Sequence, residues 1–259
     1  MAVPVYVVSE STNNARLTRF NAQFGALVDD VIVMPAVMGG QLSARDYYRH
    51  LHENYNHTQR ILSPAEVGCA LSHLAIYQKV VSHQAPAVVF EDDVIGSKAA
   101  LAKARELATK VQPHQVVILG GLNGLPEKKW IKTLEKGPSA SNSLHFYLDS
   151  SAAKVSALSY PYLGRTCSYI IGHEAANIII EKQNNCLHVA DAWGYFSEQS
   201  ALEFYYINLF DHPVESKVSN SYIEQERSQL NYVASYKLAL RKLLYLFRKN
   251  IKQLKLLTR

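Results

Sequence analysis

Residues 61–95, ILSPAEVGCALSHLAIYQKVVSHQAPAVVFEDDVI, constrain most of what this chain can fold into. Ser63 can cap a helix, Pro64 suits the first helical position, and Glu66 completes a capping box by reaching back to the Ser63 N–H. Val67, Ala70, Leu71, Leu74, Tyr77, Gln78 and Val81 then keep the i, i+3, i+4, i+7 spacing of one buried helix face. After a turn at Gln84-Ala85-Pro86, Ala87-Val88-Val89-Phe90 is a continuous apolar run of the kind found in strands covered on both sides. Glu91-Asp92-Asp93 stands where that strand should end.

Three adjacent carboxylates repel one another, and at the end of a buried strand they need cations or hydrogen-bond donors. A hard divalent ion, Mn²⁺ or Mg²⁺, answers that need, because it takes oxygen ligands and keeps open positions for waters and phosphate oxygens. The carboxyl ends of strands in an open α/β sheet are also where ligands bind. For the bare triplet, an ordinary acidic turn after a strand is the commoner reading.

The longer pattern is more specific. Leu62-Ser63-x-x-Glu66-x-Gly68-Cys69-x-x-Ser72-His73, followed by an apolar strand into Glu91-Asp92-Asp93-Val94, resembles the signature of glycosyltransferase family 25. That family contains lipooligosaccharide galactosyltransferases of Gram-negative bacteria and relatives that glycosylate collagen. The resemblance implies a GT-A-like α/β fold with a mainly parallel sheet, a metal held by Asp93 and Asp92, and Glu91 positioning a nucleotide. It further implies inverting, metal-dependent transfer of a hexose, foremost galactose from UDP-galactose in a β-1,4 linkage, onto a terminal sugar of lipooligosaccharide or lipopolysaccharide. Scattered blocks carry the resemblance over residues 3–225, and it is strongest between Leu62 and Val94.

The remaining bounds agree with one α/β domain over residues 1–230 and a separate terminal helix over 231–259. At 259 residues with 48% hydrophobic and 19% charged composition, the chain can bury an ample core. No run approaches the roughly 18 to 20 apolar residues of a membrane span. MAVPVYVVSE has no basic leader region and is expected to be a first strand, not a signal peptide. Cys69, Cys167 and Cys186 are widely spaced and odd in number, which favours a reducing compartment over a disulfide framework or a zinc site. The histidines of residues 46–57, in a segment expected to be a solvated and partly helical excursion, have no metal-ligand spacing.

Further strands are expected at 3–8, 31–34, 116–119 and 203–208, and helices at 15–24, 97–110 and 173–183. Arg16 and Arg19 fall where the family is rich in arginine, so the resemblance implies contact with the donor diphosphate, which suits paired guanidinium bonds; solvated helix residues are the alternative, and for Arg19 an equal one. Gly120, Gly121 and Gly124 follow a buried strand and either approach a ligand or make a plain turn.

Two later blocks also resemble the family. In Gly164-Arg165-Thr166-Cys167-Ser168-Tyr169-Ile170-Ile171, Arg165 separates Gly164 from the Thr166 assigned to the donor site. In His188-Val189-Ala190-Asp191, the carboxylate of Asp191 is the candidate to take the acceptor hydroxyl proton, with Glu198 as its substitute. Asp191 could instead cap a helix starting near Ala192 or hydrogen-bond the acceptor. Trp193, Tyr195 and Phe196 could stack on sugar rings or pack in a core. His212 stands at a late strand end as a candidate metal ligand, with Asp211 or a simple turn as alternatives.

From Tyr236 to Arg259 there is no Asp or Glu. Leu240, Leu243, Leu244, Phe247, Ile251 and Leu254 share one helical face, and Arg241, Arg248, Lys249, Lys252, Lys255 and Arg259 gather towards the other. A basic amphipathic helix suits an anionic membrane surface, and with a lipid-linked oligosaccharide acceptor this predicts a cytoplasmic protein peripheral to the inner membrane, with no nucleic-acid partner. Packing on its own domain or on a second copy would use the same pattern. A protein of another class, a non-catalytic nucleotide-sugar-binding or scaffold component of a glycan assembly complex, would keep the donor site without turnover.

Overall fold

Short apolar strands separated by amphipathic helices build a sheet covered on both faces. The computed structural model describes residues 3–10, 15–133, 147–148, 151–213, 223 and 226. In chain order the elements are β1 (Val5–Ser9), α1 (Ala15–Phe24), β2 (Ile32–Pro35), α2 (Ala44–Thr58), α3 (Pro64–His83), β3 (Ala87–Glu91), α4 (Lys98–Ala108) and β4 (Gln115–Gly120). They continue with β5 (Tyr147–Leu148), β6 (Ala152–Lys154), β7 (Ser168–Ile171), α5 (His173–Asn185), α6 (Trp193–Phe196) and β8 (Glu203–Phe210). The terminal helix expected over 231–259 lies outside the described residues, and no described helix is long and apolar enough to cross a membrane.

The eight strands form one sheet in the order β2-β1-β3-β7-β4-β8-β6-β5. Alternation along each strand divides the core in two. Val5, Val7, Val88, Phe90, Val117, Leu119 and Ile170 face α1 and α4. Tyr6, Val89, Val116, Ile118, Tyr169 and Ile171 face α3, α5 and α6. Each such side chain contributes roughly 1.5–3 kcal/mol when fully buried, so the central strands form a stiff platform for whatever their ends carry.

The sheet is mixed and not mainly parallel. β1 pairs in parallel with β2 and β3, and β4 with β8, but β7 runs antiparallel to both β3 and β4. β6 is antiparallel to β5 and β8. Parallel neighbours require crossover connections, usually helices. The chain supplies them between β1 and β4; between β4 and β7 no α-helix is described, and the strand that returns lies in the opposite direction.

α3 begins as its sequence requires. Ser63 Oγ accepts from the Glu66 N–H at 3.2 Å while a Glu66 carboxylate oxygen accepts from the Ser63 N–H at 2.9 Å. The expected excursion over 46–57 is instead one regular helix, α2, capped by the Ser43 hydroxyl. Its few apolar side chains, among them Tyr47 and Leu51, join Leu62, Val67, Ala70 and Leu187 in a small third cluster.

Candidate active site

The ends of β1 and β3, the approach to β7 and the exit of β8 meet at one edge of the sheet, where they line a cleft of about 400 Å³ with the start of α3. Backbone hydrogen bonds hold this edge together. The Asp92 N–H donates to Val8 O at 3.2 Å, the Glu91 N–H to Cys167 O at 3.0 Å, and Ile95 pairs with Asp211 in both directions at 2.8 Å. Strand pairing therefore brings His212 beside the acidic triplet.

The three carboxylates take different environments. Asp92 is buried; its Oδ2 accepts from Ser9 Oγ at 2.8 Å and its Oδ1 lies 3.7 Å from the Arg16 guanidinium. Glu91 Oε1 accepts from Thr166 Oγ1 at 2.5 Å and lies 3.4 Å from His73 Nε2, off the line of a hydrogen bond. His73 is anchored in turn by Tyr169, whose hydroxyl meets its Nδ1 at 2.8 Å. Asp93 Oδ2 lies 3.7 Å from Arg16 and 3.8 Å from His212 Nε2, while its Oδ1 is buried with no hydrogen-bond partner.

Charge follows from these contacts. Burial pushes the Glu91 carboxyl up, but the His73 imidazole, the Thr166 hydroxyl and His212 outweigh it and hold Glu91 well below the usual carboxylate range. Asp93 is pushed up, first by burial and then by the Glu91 charge, which His212 and Arg16 only partly offset. A second carboxylate that is reluctant to ionise, with a buried oxygen that has no hydrogen-bond partner, is a position that a cation would satisfy. Ligand atoms of Glu91, Asp93 and His212 lie within 4.8 Å of one another. Two carboxylates and an imidazole suit Mn²⁺ or Mg²⁺, so the donor set fits the expected ion. Asp92 is not among these three.

Asp191 lines the same cleft. It does not cap α6, which lacks a side-chain cap; its Oδ2 accepts from the Arg165 N–H at 2.8 Å. Arg165, the residue interrupting the family pattern, sits at φ +64° and donates through one guanidinium nitrogen to Gly121 O at 2.5 Å and Asn123 O at 2.9 Å. Glu198 is not brought to the cleft. It lines a separate depression with Asp191, Trp193 and Tyr195, and its carbonyl accepts from Lys182 Nζ at 2.7 Å. Trp193 and Phe196 are core residues.

His73, Glu66, Cys69, Ser72 and Ser9 also line the cleft. All but Ser9 belong to the motif at the start of α3, yet their spacing alone discloses no role, because their partners lie on distant strands. The glycines at the end of β4 serve packing: a Cβ on Gly120 would stand 2.0 Å from Phe210 O and one on Gly121 2.1 Å from Cys167 Sγ.

A mixed sheet covered by helices, with clustered carboxylates and an imidazole in a cleft at one edge, defines an α/β protein with an acidic cleft. Residues 2–193 match the model of glycosyltransferase family 25, described as LPS biosynthesis protein, and the chain belongs to that family. No curated protein matches the chain.

Proposed function

We propose that the protein is an inverting hexosyltransferase with a GT-A-like donor site, moving a hexose, galactose foremost, from a UDP-sugar to a terminal sugar of a lipid-linked oligosaccharide. The observation that carries this is the convergence of ligand atoms of Glu91, Asp93 and His212 within 4.8 Å, with Arg16 alongside and the second Asp93 oxygen, Oδ1, buried without a hydrogen-bond partner. Glu91, Asp93 and His212 would hold Mn²⁺ or Mg²⁺, which when bound supplies positive charge for the donor diphosphate.

The chain's own residues do the rest. Thr166 and His73 orient Glu91, while Asp92 and Ser9 fix the edge from which Arg16 reaches the diphosphate. Asp191, its carboxylate oriented by the Arg165 N–H, takes the proton of the acceptor hydroxyl as that oxygen bonds to the anomeric carbon. The bond from that carbon to the diphosphate breaks with inversion, and UDP leaves with the electron pair. Charge builds on the leaving diphosphate, where Arg16 lowers the barrier. The basic amphipathic segment 236–259 would hold the enzyme at an anionic membrane surface, where a lipid-linked acceptor resides.

Thermal unfolding with UDP, UDP-galactose and UDP-glucose, each with Mn²⁺ and with EDTA, tests the donor site, since a ligand of the native state alone raises the midpoint. The expected result is a Mn²⁺-dependent rise followed by sugar transfer to a truncated lipooligosaccharide. No rise at millimolar ligand overturns the proposal. Donor binding with neither hydrolysis nor transfer would identify a nucleotide-sugar-binding module instead.

A further inference from the structure

A second cluster of metal-ligating side chains lies away from the carboxylates. His57 occupies the last turn of α2, Cys186 closes α5, and His188 follows two residues later. One ligand atom from each lies within 4.8 Å of the others. We propose that His57, Cys186 and His188 form a zinc site that ties the end of α2 to the segment leading into Asp191.

His188 is the independent observation. It is 8% exposed, and its Nε2 is buried with no hydrogen-bond partner. A buried imidazole nitrogen left unpaired is costly unless something occupies it. The ring is nevertheless held firmly. The Gln183 side chain clamps the His188 backbone, accepting from its N–H at 2.7 Å and donating to its carbonyl at 3.2 Å. Tyr195 stacks on the ring at 3.7 Å between centroids, and the His57 ring stands at 5.5 Å. Such restraint, with ligating capacity unspent, is a preorganised coordination position.

The ligand set selects the metal. Two imidazoles and a thiol suit Zn²⁺, which takes nitrogen and sulfur donors at about 2.0–2.3 Å, whereas Mn²⁺ and Mg²⁺ prefer oxygen. Around one tetrahedral zinc such donors stand roughly 3.3–3.6 Å apart. His57 is exposed and has room to turn inwards by the difference. Zinc binding would release the Cys186 proton and leave the fourth position to water. Of the nearby cations, Arg60 pairs with Glu66, and Lys182 bonds the Glu198 carbonyl. Val189, Ala190 and Asp191, immediately beyond His188, line the cleft. The ion would therefore brace a wall of the cleft, independently of any assignment of donor or acceptor.

The test uses the full chain stripped with EDTA and titrated with Zn²⁺, then with Co²⁺ as spectroscopic probe, in excess Mg²⁺ so that the carboxylate cleft takes the hard ion. One equivalent of Zn²⁺ should bind, and Co²⁺ should give a thiolate charge-transfer band. His57→Gln and Cys186→Ser should each weaken Zn²⁺ binding by more than about 100-fold, beyond the loss typical of removing a residue that only orients a metal ligand. Cys69→Ser, which removes the cleft thiol, should leave both signals intact. His57 is exposed, so its replacement keeps the fold even if Cys186→Ser does not. Absence of the thiolate band, undiminished Zn²⁺ affinity in His57→Gln, or loss of the band in Cys69→Ser would overturn the proposal.

Discussion

The backbone N–H of Arg165 donates to Asp191 Oδ2 at 2.8 Å, so the residue that interrupts the family pattern also orients a carboxylate that lines the cleft. Arg165 holds a left-handed conformation at φ +64°, which a non-glycine residue adopts only when its surroundings enforce it. Here the guanidinium bonds to Gly121 and Asn123 and the Trp193 Nε1–H bond to the Arg165 carbonyl do so.

Asp191→Asn separates orientation from chemistry, because the amide oxygen still accepts from the Arg165 N–H while the side chain can no longer take a proton. Transfer should fall by roughly 10²–10⁴-fold, the usual contribution of a general base, with little change in the unfolding midpoint or in donor affinity. Steady-state kinetics beside a melting curve check this. Transfer within a factor of a few of the parent would remove Asp191 from the chemistry.

Asp93→Asn has a less obvious sign. In the metal-free protein, Asp93 is a carboxylate held up by burial and by the Glu91 charge, so replacing it with a neutral amide should leave the midpoint unchanged or raise it slightly. In excess Mn²⁺ the order reverses, since the parent gains about 2.7 kcal/mol at a ligand concentration 100 times Kd and the variant does not. Melting curves with Mn²⁺ and with EDTA would show the crossing. An equal Mn²⁺ response in both proteins would contradict it.

Local chemistry made the fold legible where residues act on their neighbours. The Ser63–Glu66 capping box marks the start of α3, and the apolar run Ala87–Phe90 identifies a strand covered on both sides. Direction was not legible for β7, because a strand's own residues do not say which way it enters a sheet. α2 was under-read for a related reason. Asn54 is its only buried residue, and its amide donates to Leu187 O at 2.7 Å, a partner far along the chain. Within the site, the triplet and His212 stood out as residues at strand ends. Their division of labour, with Glu91 and not Asp92 beside Asp93 and His212, depends on Ser9 and Arg16 engaging Asp92. The cluster of His57 with Cys186 and His188 has no sequence spacing to reveal it.

Gly68 lies within α3, where replacing glycine by alanine ordinarily stabilises by about 1 kcal/mol. At this position the sign should reverse. A Cβ on Gly68 would stand 2.3 Å from Val37 O and 2.7 Å from the Gly39 N, both backbone atoms of the segment lining the cleft. Gly68→Ala should cost about 1–3 kcal/mol, the range for overpacking, with donor affinity falling as residues 37–40 are displaced. Denaturant unfolding measures the first and calorimetric UDP titration the second; a stabilised variant would show that the helix and this segment do not pack so closely.

Glu203, the first residue of β8, offers a pH test remote from the cleft. Its Oε1 accepts from Lys154 Nζ at 2.5 Å and its Oε2 from Gln115 Nε2 at 3.2 Å. Burial pushes this carboxyl up, but Lys154 and Gln115 outweigh it and hold it below the ordinary value. Between that lowered value and the ordinary glutamate pKa of about 4.3, the unfolded chain binds more protons than the native protein, so stability rises with pH through the window. The contribution is complete above the ordinary value and lost as pH falls through the lowered one. With the side chain 31% exposed, solvent screening keeps the contribution below about 1 kcal/mol. Glu203→Gln should therefore melt up to roughly 2–4 °C lower at pH 7, with the gap to the parent closing in acid. A gap that persists or widens at low pH would mean that the ion pair does not hold β6 to β8.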